Sequence, residues 1–175
     1  MKSVAMNRYR GVTIVELLVV VAIVGILANY AVPQYGALVK RQSVTAEARR
    51  ITSLLKLARS EARARGAFIT LSRPDGADWA GNIDIYEDVS NGNSAYDSSE
   101  DDLIRQATSS GRTVSADASV DELITFNPRG WAFESLTIAI CASISDSNAG
   151  RLIEVNRVGK IRERSFDEAV DSCNQ

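Results

Sequence analysis

Residues 12–33 read VTIVELLVVVAIVGILANYAVP, and Glu16 is the only formal charge among them. From Leu17 to Ala28 every residue is apolar or glycine. About 20 such residues, at a rise of about 1.5 Å each, cross a hydrocarbon core of about 30 Å. A helix this long and apolar all round has no place in the interior of a small domain. The stretch therefore predicts a transmembrane helix over 12–33. Lys2, Arg8 and Arg10 precede it, with no acid in residues 1–11. The positive-inside bias keeps that end in the cytoplasm and sends the carboxyl-terminal bulk across the membrane. A cleaved secretory signal is the competing reading, with Ala28 and Ala31 as its small residues.

Glu16 separates the two. A carboxylate inside lipid costs a few kcal/mol unless it is paired or neutralised. A plain anchor has no reason to keep one.

Past Pro33 the apolar positions Val44, Ala48, Ile51, Leu55, Ala58 and Ala62 recur in steps of three and four, one stripe of a helix. Gly66 fits its C-cap. Residues 13–65 as one helix make a rod of about 80 Å, with Gly25 and Pro33 as the places for a bend. The second half is basic: Lys40, Arg41, Arg49, Arg50, Lys56, Arg59, Arg63 and Arg65 outnumber Glu47 and Glu61. Acids in the following segment are the expected counter-ions for that face.

After Gly66 the pattern changes to short β-type runs separated by turn residues. The predicted strands are 68–72, 83–87, 103–107, 113–116, 123–126, 136–141, 152–156 and a last one around 158–162. The turns fall at Asn91-Gly92-Asn93 and Pro128-Arg129-Gly130. The helix stripe covering one face of this sheet gives an α+β fold.

Composition bears on the chemistry. The chain has no histidine, which removes His-based triads and His-ligated metal sites. Its two cysteines, Cys141 and Cys173, are too few and too far apart for a zinc cluster or a CxxC motif. No catalytic constellation emerges, and no cofactor or metal is expected. An acidic segment runs from Asp75 to Glu122; Asp84, Asp88, Asn91 and Asn93 could be drawn as a calcium site, but a turn explains them without an ion. The net charge of −2 offers no general attraction for nucleic acid, so any such role needs a local patch.

Basic leader, Gly11, Thr13, Glu16, the apolar run and Pro33 together resemble the class III leader of type IV pilins and type II secretion pseudopilins. The resemblance implies a leader at 1–11, a transmembrane and assembly helix at 12–33, its amphipathic continuation at 34–66 and a periplasmic β-rich domain at 67–175. It implies that a prepilin peptidase cuts between Gly11 and Val12 and methylates the Val12 amine; the family usually has phenylalanine there. The chain would then be held in the inner membrane and assembled with other pilins. In a filament the Val12 amine can pair with Glu16 of an adjacent subunit, neutralising a buried carboxylate and fixing axial register. Pro33 belongs to the same assembly segment. In the oxidising periplasm, Cys141 and Cys173 are expected as a disulfide.

Three further segments narrow the resemblance to the minor pilin and pseudopilin H group, GspH/FimT-like. They are Leu57-Ala58-Arg59-Ser60-Glu61-Ala62, Phe126-Asn127-Pro128-Arg129-Gly130 and Gly159-Lys160-Ile161-Arg162. The resemblance implies a minor type IV pilin, a non-enzymatic subunit acting in pilus assembly or at the tip. One alternative is the minor pseudopilin H of type II protein secretion. Another is a pilus-tip receptor that binds double-stranded DNA for natural transformation, as FimT-like members do through a terminal Gly-Arg-x-Arg motif. Here Lys160, Arg162 and Arg164 alternate along an extended chain, which places three cations on one side to meet phosphates. Lys160 stands where that motif has arginine and lacks its bidentate fork.

Overall fold

The computed structural model describes residues 13–74, 78–89, 96–97, 99–111, 114–118, 123–142 and 150–166, with the side chains of 30–34 and 117 outside that description. The chain divides into two units, Met1–Leu38 and Val39–Gln175. A single helix, α1 (Ile14–Arg65), contributes to both.

In the first unit the described side chains of α1 are all exposed, among them Ile14, Val15, Leu17, Leu18, Ile23 and Leu27. Among the described residues of this unit nothing covers them. Among the described residues no helix is long and apolar enough to cross a membrane. The described side chains of the apolar run stop at Asn29, before Pro33.

In the second unit the expected stripe is the buried one. Val44, Ala48, Ile51, Leu55, Ala58 and Ala62 are all closed to solvent. Full burial of one large aliphatic side chain stabilises by roughly 1.5–3 kcal/mol, so this face fastens the helix to the domain. α1 ends where glycine allows it. Gly66 takes a φ of 67°, and the amides of Gly66 and Ala67 both donate to the Ala62 carbonyl, at 3.0 and 3.3 Å.

The described strands are β1 (Ile69–Ser72), β2 (Ile83–Glu87), β3 (Asp102–Ala107), β4 (Ser115–Ala118), β5 (Leu123–Phe126), β6 (Leu136–Cys141), β7 (Arg151–Val155) and β8 (Ile161–Ser165). They form two four-stranded antiparallel sheets, not the one sheet expected from the sequence. Their orders are β3-β2-β1-β5 and β4-β6-β7-β8. Period-2 alternation gives each sheet a core face. In the first it carries Ile69, Leu71, Ile83, Ile85, Ile124 and Phe126; in the second Ala116, Leu136, Ile138, Ile140, Ile153 and Val155. These residues join the helix stripe in one core cluster.

Two predicted strands need correction. The fourth lies at Ser115–Ala118 instead of 113–116. The last begins at Ile161, not Val158, because residues 156–160 form a tight turn. The Asn156 side chain accepts the Lys160 amide at 2.8 Å, and Gly159 holds a φ of 73° that a strand does not admit.

Candidate functional site

At the start of α1, Thr13 is the N-cap. Its Oγ1 accepts the Glu16 amide at 3.2 Å, satisfying one of the first-turn N–H groups that the helix itself leaves unpaired. Thr13-Ile14-Val15-Glu16 thus has the S/T-x-x-E spacing of a capping box, and the Glu16 carboxylate sits in the first turn, at the positive end of the helix dipole. Glu16 is exposed, amid exposed apolar neighbours. Gly11 and Val12 lie outside the described residues. α1 includes Pro33, whose side chain also lies outside the description.

The three segments that narrowed the resemblance are far apart in sequence and meet in the fold. Arg59 reaches out of α1 between two turns. Its Nε donates to the Gly130 carbonyl at 3.0 Å and its Nη2 to the Val158 carbonyl at 3.3 Å. The first turn is built by Asn127, whose side-chain oxygen accepts the amides of Arg129 and Trp131 at 2.9 and 3.1 Å. Asn156 organises the second turn in the same way. Glycine is required where they touch. A Cβ on Gly159 would lie 1.9 Å from the Gly130 carbonyl oxygen, and a Cβ on Gly130 would lie 2.8 Å from the Arg63 side chain. Around this junction Trp131 and Val158 remain 47% and 51% exposed. The Arg129 guanidinium lies 5.9 Å from the Trp131 ring centroid. Sequence reasoning named these segments without seeing that one arginine ties them together.

The terminal cations fall on and beside β8, an edge strand. Lys160 precedes it and Arg162 is exposed on it. Arg162 and Arg164 share the outer face, as the alternation required, but Arg164 donates to Glu154 on β7 at 2.9 Å. Only Lys160 and Arg162 of the three lack an ion pair among the described residues. Glu163 turns to the other face and lies 3.8 Å from Arg151.

Of the basic helix face, Arg65 reaches the acids of the following segment, while Arg50 pairs within the helix. Arg65 meets Glu61, Glu87 and Asp102, and these pairings, Glu61 first, hold its proton more firmly than usual. Arg50 pairs with the fully buried Glu47 and donates to the carbonyls of Trp79 and Gly81, both at 3.1 Å. The Ser110 hydroxyl also donates to Glu47, at 2.6 Å. That buried pair went unseen in the sequence because its partners are backbone carbonyls from distant loops.

The first sheet's other face carries a closed polar cluster: Thr70, Ser72, Asp84, Tyr86, Asp88 and Thr125 are all buried. The Thr70 and Thr125 hydroxyls lie 2.8 Å apart. Burial pushes the Tyr86 phenol up to about 12, against a hydrogen bond from Ser72. Asn91 and Asn93, the other residues of the drawn calcium site, lie outside the described residues. Among the described residues no group of carboxylates or thiols could hold a metal ion. Cys141 is buried at the end of β6 and is not a free thiol. Cys173 lies outside the described residues.

Residues 47–159, more than half of the chain, match the family described as type II transport protein GspH. The chain belongs to the GspH family. Residues 6–28 match the prokaryotic N-terminal methylation motif, which implies processing by a prepilin peptidase. No curated protein matches the sequence. Among solved structures, the type IV minor pilin FimU of Pseudomonas aeruginosa is similar in two crystal forms. One has a TM-score of 0.61 at 22% identity, covering 78% of this chain and 98% of FimU. The other has a TM-score of 0.58 at 24%, covering 74% and 98%. The minor pseudopilin EpsH of the Vibrio cholerae type 2 secretion system is similar with a TM-score of 0.51 at 13% identity, covering 70% and 97%. At these identities the likeness speaks for the fold: a long amino-terminal helix packed on antiparallel sheets. GspH proteins are structural, non-enzymatic subunits that assemble with other pilins. The Arg59 junction ties the helical part of this chain's GspH segment to its last residues, Val158 and Gly159.

Proposed function

We propose that the chain is a minor type IV pilin that acts in pilus assembly or at the filament tip. Prepilin peptidase hydrolyses the Gly11–Val12 bond and methylates the new Val12 amine. Residues 12–33 hold the subunit in the inner membrane, with residues 67–175 in the periplasm. On assembly the cationic Val12 amine pairs with Glu16 of the neighbouring subunit, while Pro33 lies at the far end of the same packing segment. Cys141 and Cys173 form a disulfide that ties the carboxyl-terminal tail to β6.

The observation that carries this reading is Glu16. It is the lone formal charge of 12–33, set in the first turn of α1 among exposed apolar side chains. A carboxylate in that setting costs several kcal/mol in lipid unless a cation meets it, and processing creates a cation four residues before it. The full-length Glu16→Ala protein is expected to insert and lose its leader normally, yet to enter filaments at least ten-fold less. Normal incorporation overturns the pairing.

Two other readings have support of their own. The GspH family match and the EpsH likeness favour a pseudopilin H of type II secretion. Deleting the protein would then abolish export of protein cargo and leave piliation intact, the reverse of the pilin expectation. The exposed Lys160 and Arg162 favour DNA capture at the tip. Full-length protein in detergent would then bind unrelated duplexes in a salt-sensitive way, and a Lys160→Gln, Arg162→Gln, Arg164→Gln variant would lose that binding.

A further inference from the structure

The junction of the two turns carries more positive charge than the fold uses. Arg63 lies against Gly130, while Arg129, Arg157 and Lys160 stand beside the glycine and valine that close the junction. All four are exposed, and none has an ion pair among the described residues. The acids nearest to them in the chain are mostly committed elsewhere. Glu61 is held by Arg65, Glu154 by Arg164 and Glu163 by Arg151. Only Glu134 is exposed without an ion pair among the described residues, one spare carboxylate against four cations.

The same surface keeps apolar side chains open. Ala132 pairs with Phe126 and is buried, so its neighbours Trp131 and Phe133 face outward. Phe133 is 44% exposed and packs on Phe68, with ring centroids 5.6 Å apart. Trp131 lies beside the Arg129 guanidinium, and half of Val158 is open on the second turn. A half-exposed tryptophan among arginines is the composition of an interface centre. Its support is already ordered. The two Arg59 bonds and the close approach of Gly159 to Gly130 fix the turns, so little freedom is lost on binding.

Charge and apolarity together define what fits. A DNA duplex offers phosphates to the cations, but its bases are already stacked and nothing in it matches Trp131, Phe133 and Val158. A protein face with carboxylates around an apolar side chain uses both features. A second copy of this chain is the wrong protein for a face-to-face contact, because the same four cations would meet each other. GspH proteins assemble with other pilins, so a pilin of different sequence has the access that such a contact needs.

We propose that this surface docks a different pilin subunit, which meets Trp131 with an apolar side chain and the surrounding cations with carboxylates. The contact rests on the reading of the chain as a filament subunit and adds an interaction between globular domains to the helix packing. The test places a photo-crosslinking phenylalanine analogue at position 131, or in a second variant at position 157, of the full-length protein in its native host. Irradiation is expected to give a heterodimer whose second member carries a prepilin methylation motif and whose crosslinked peptide contains Asp or Glu. The yield should fall several-fold with Arg129→Glu, or in isolated membranes at about 0.5 M salt. Lys in place of the mapped carboxylate should restore the yield to the Arg129→Glu protein. A homodimer, a crosslink to DNA, to lipid or to a protein without that motif, a yield indifferent to charge, or no crosslink at either position would each overturn the docking. Sheared filaments probed for the unvaried protein keep the readings distinct. Its presence there with no crosslink sinks the docking alone, and its absence sinks the filament-subunit reading itself.

Discussion

Gly66 and Gly159 share a left-handed backbone but not a neighbourhood. A Cβ on Gly66 would meet nothing within 4 Å, whereas on Gly159 it would strike the Gly130 carbonyl. Gly66→Ala should therefore cost only the conformational penalty, about 1 kcal/mol, and Gly159→Ala at least about 2–3 kcal/mol as the two turns are forced apart. Chemical denaturation followed by the fluorescence of buried Trp79 would rank them; equal costs would mean the turns are not in contact. Tyr86 contributes a pH dependence on the alkaline side. Its phenol, near 10 when unfolded, lies at about 12 in the fold, so folding favours the neutral form. That contribution is complete below pH 10 and is lost as pH rises from 10 to 12. A stability profile over this window should fall for the parent protein and flatten for Tyr86→Phe.

The elements divide by how local their causes are. The helix stripe follows from spacing alone, and all six of its expected residues are buried. Leu55→Ala should cost about 2–5 kcal/mol in the same denaturation assay, while exposed Lys56→Ala should change little. β2, β5 and β6 were equally legible, since β2 alternates and β5 and β6 are largely apolar between turn residues. β8 was not. Its true span, Ile161–Ser165, alternates charges at a sheet edge, while the apolar Val158 just before it belongs to a turn fixed by Asn156. The division into two sheets was also hidden, because alternation marks the face of a strand and not its partner. At the candidate site the motifs were readable and their meeting was not: nothing local to Arg59 points to carbonyls 71 and 99 residues away. The capping box at Thr13 and Glu16 could have been read from its spacing.

For the whole molecule, the proposed Cys141–Cys173 bond makes a redox prediction. Reduction should lower stability by about 3–4 kcal/mol by freeing the closed loop in the unfolded chain, leaving α1 and the first sheet in place. Thermal denaturation with and without reductant measures it, and an unchanged midpoint would refute the bond. The Arg59 junction bears on the order in which the molecule can be completed. The helix is made before the Val158 carbonyl that fastens it, which lies 99 residues beyond Arg59. Until then the stripe from Val44 to Ala62 has only part of its cover, and contacts of such long range are slow to form. A nascent subunit thus stays unsealed until residue 158 has left the ribosome, and a truncation before it leaves the latch open.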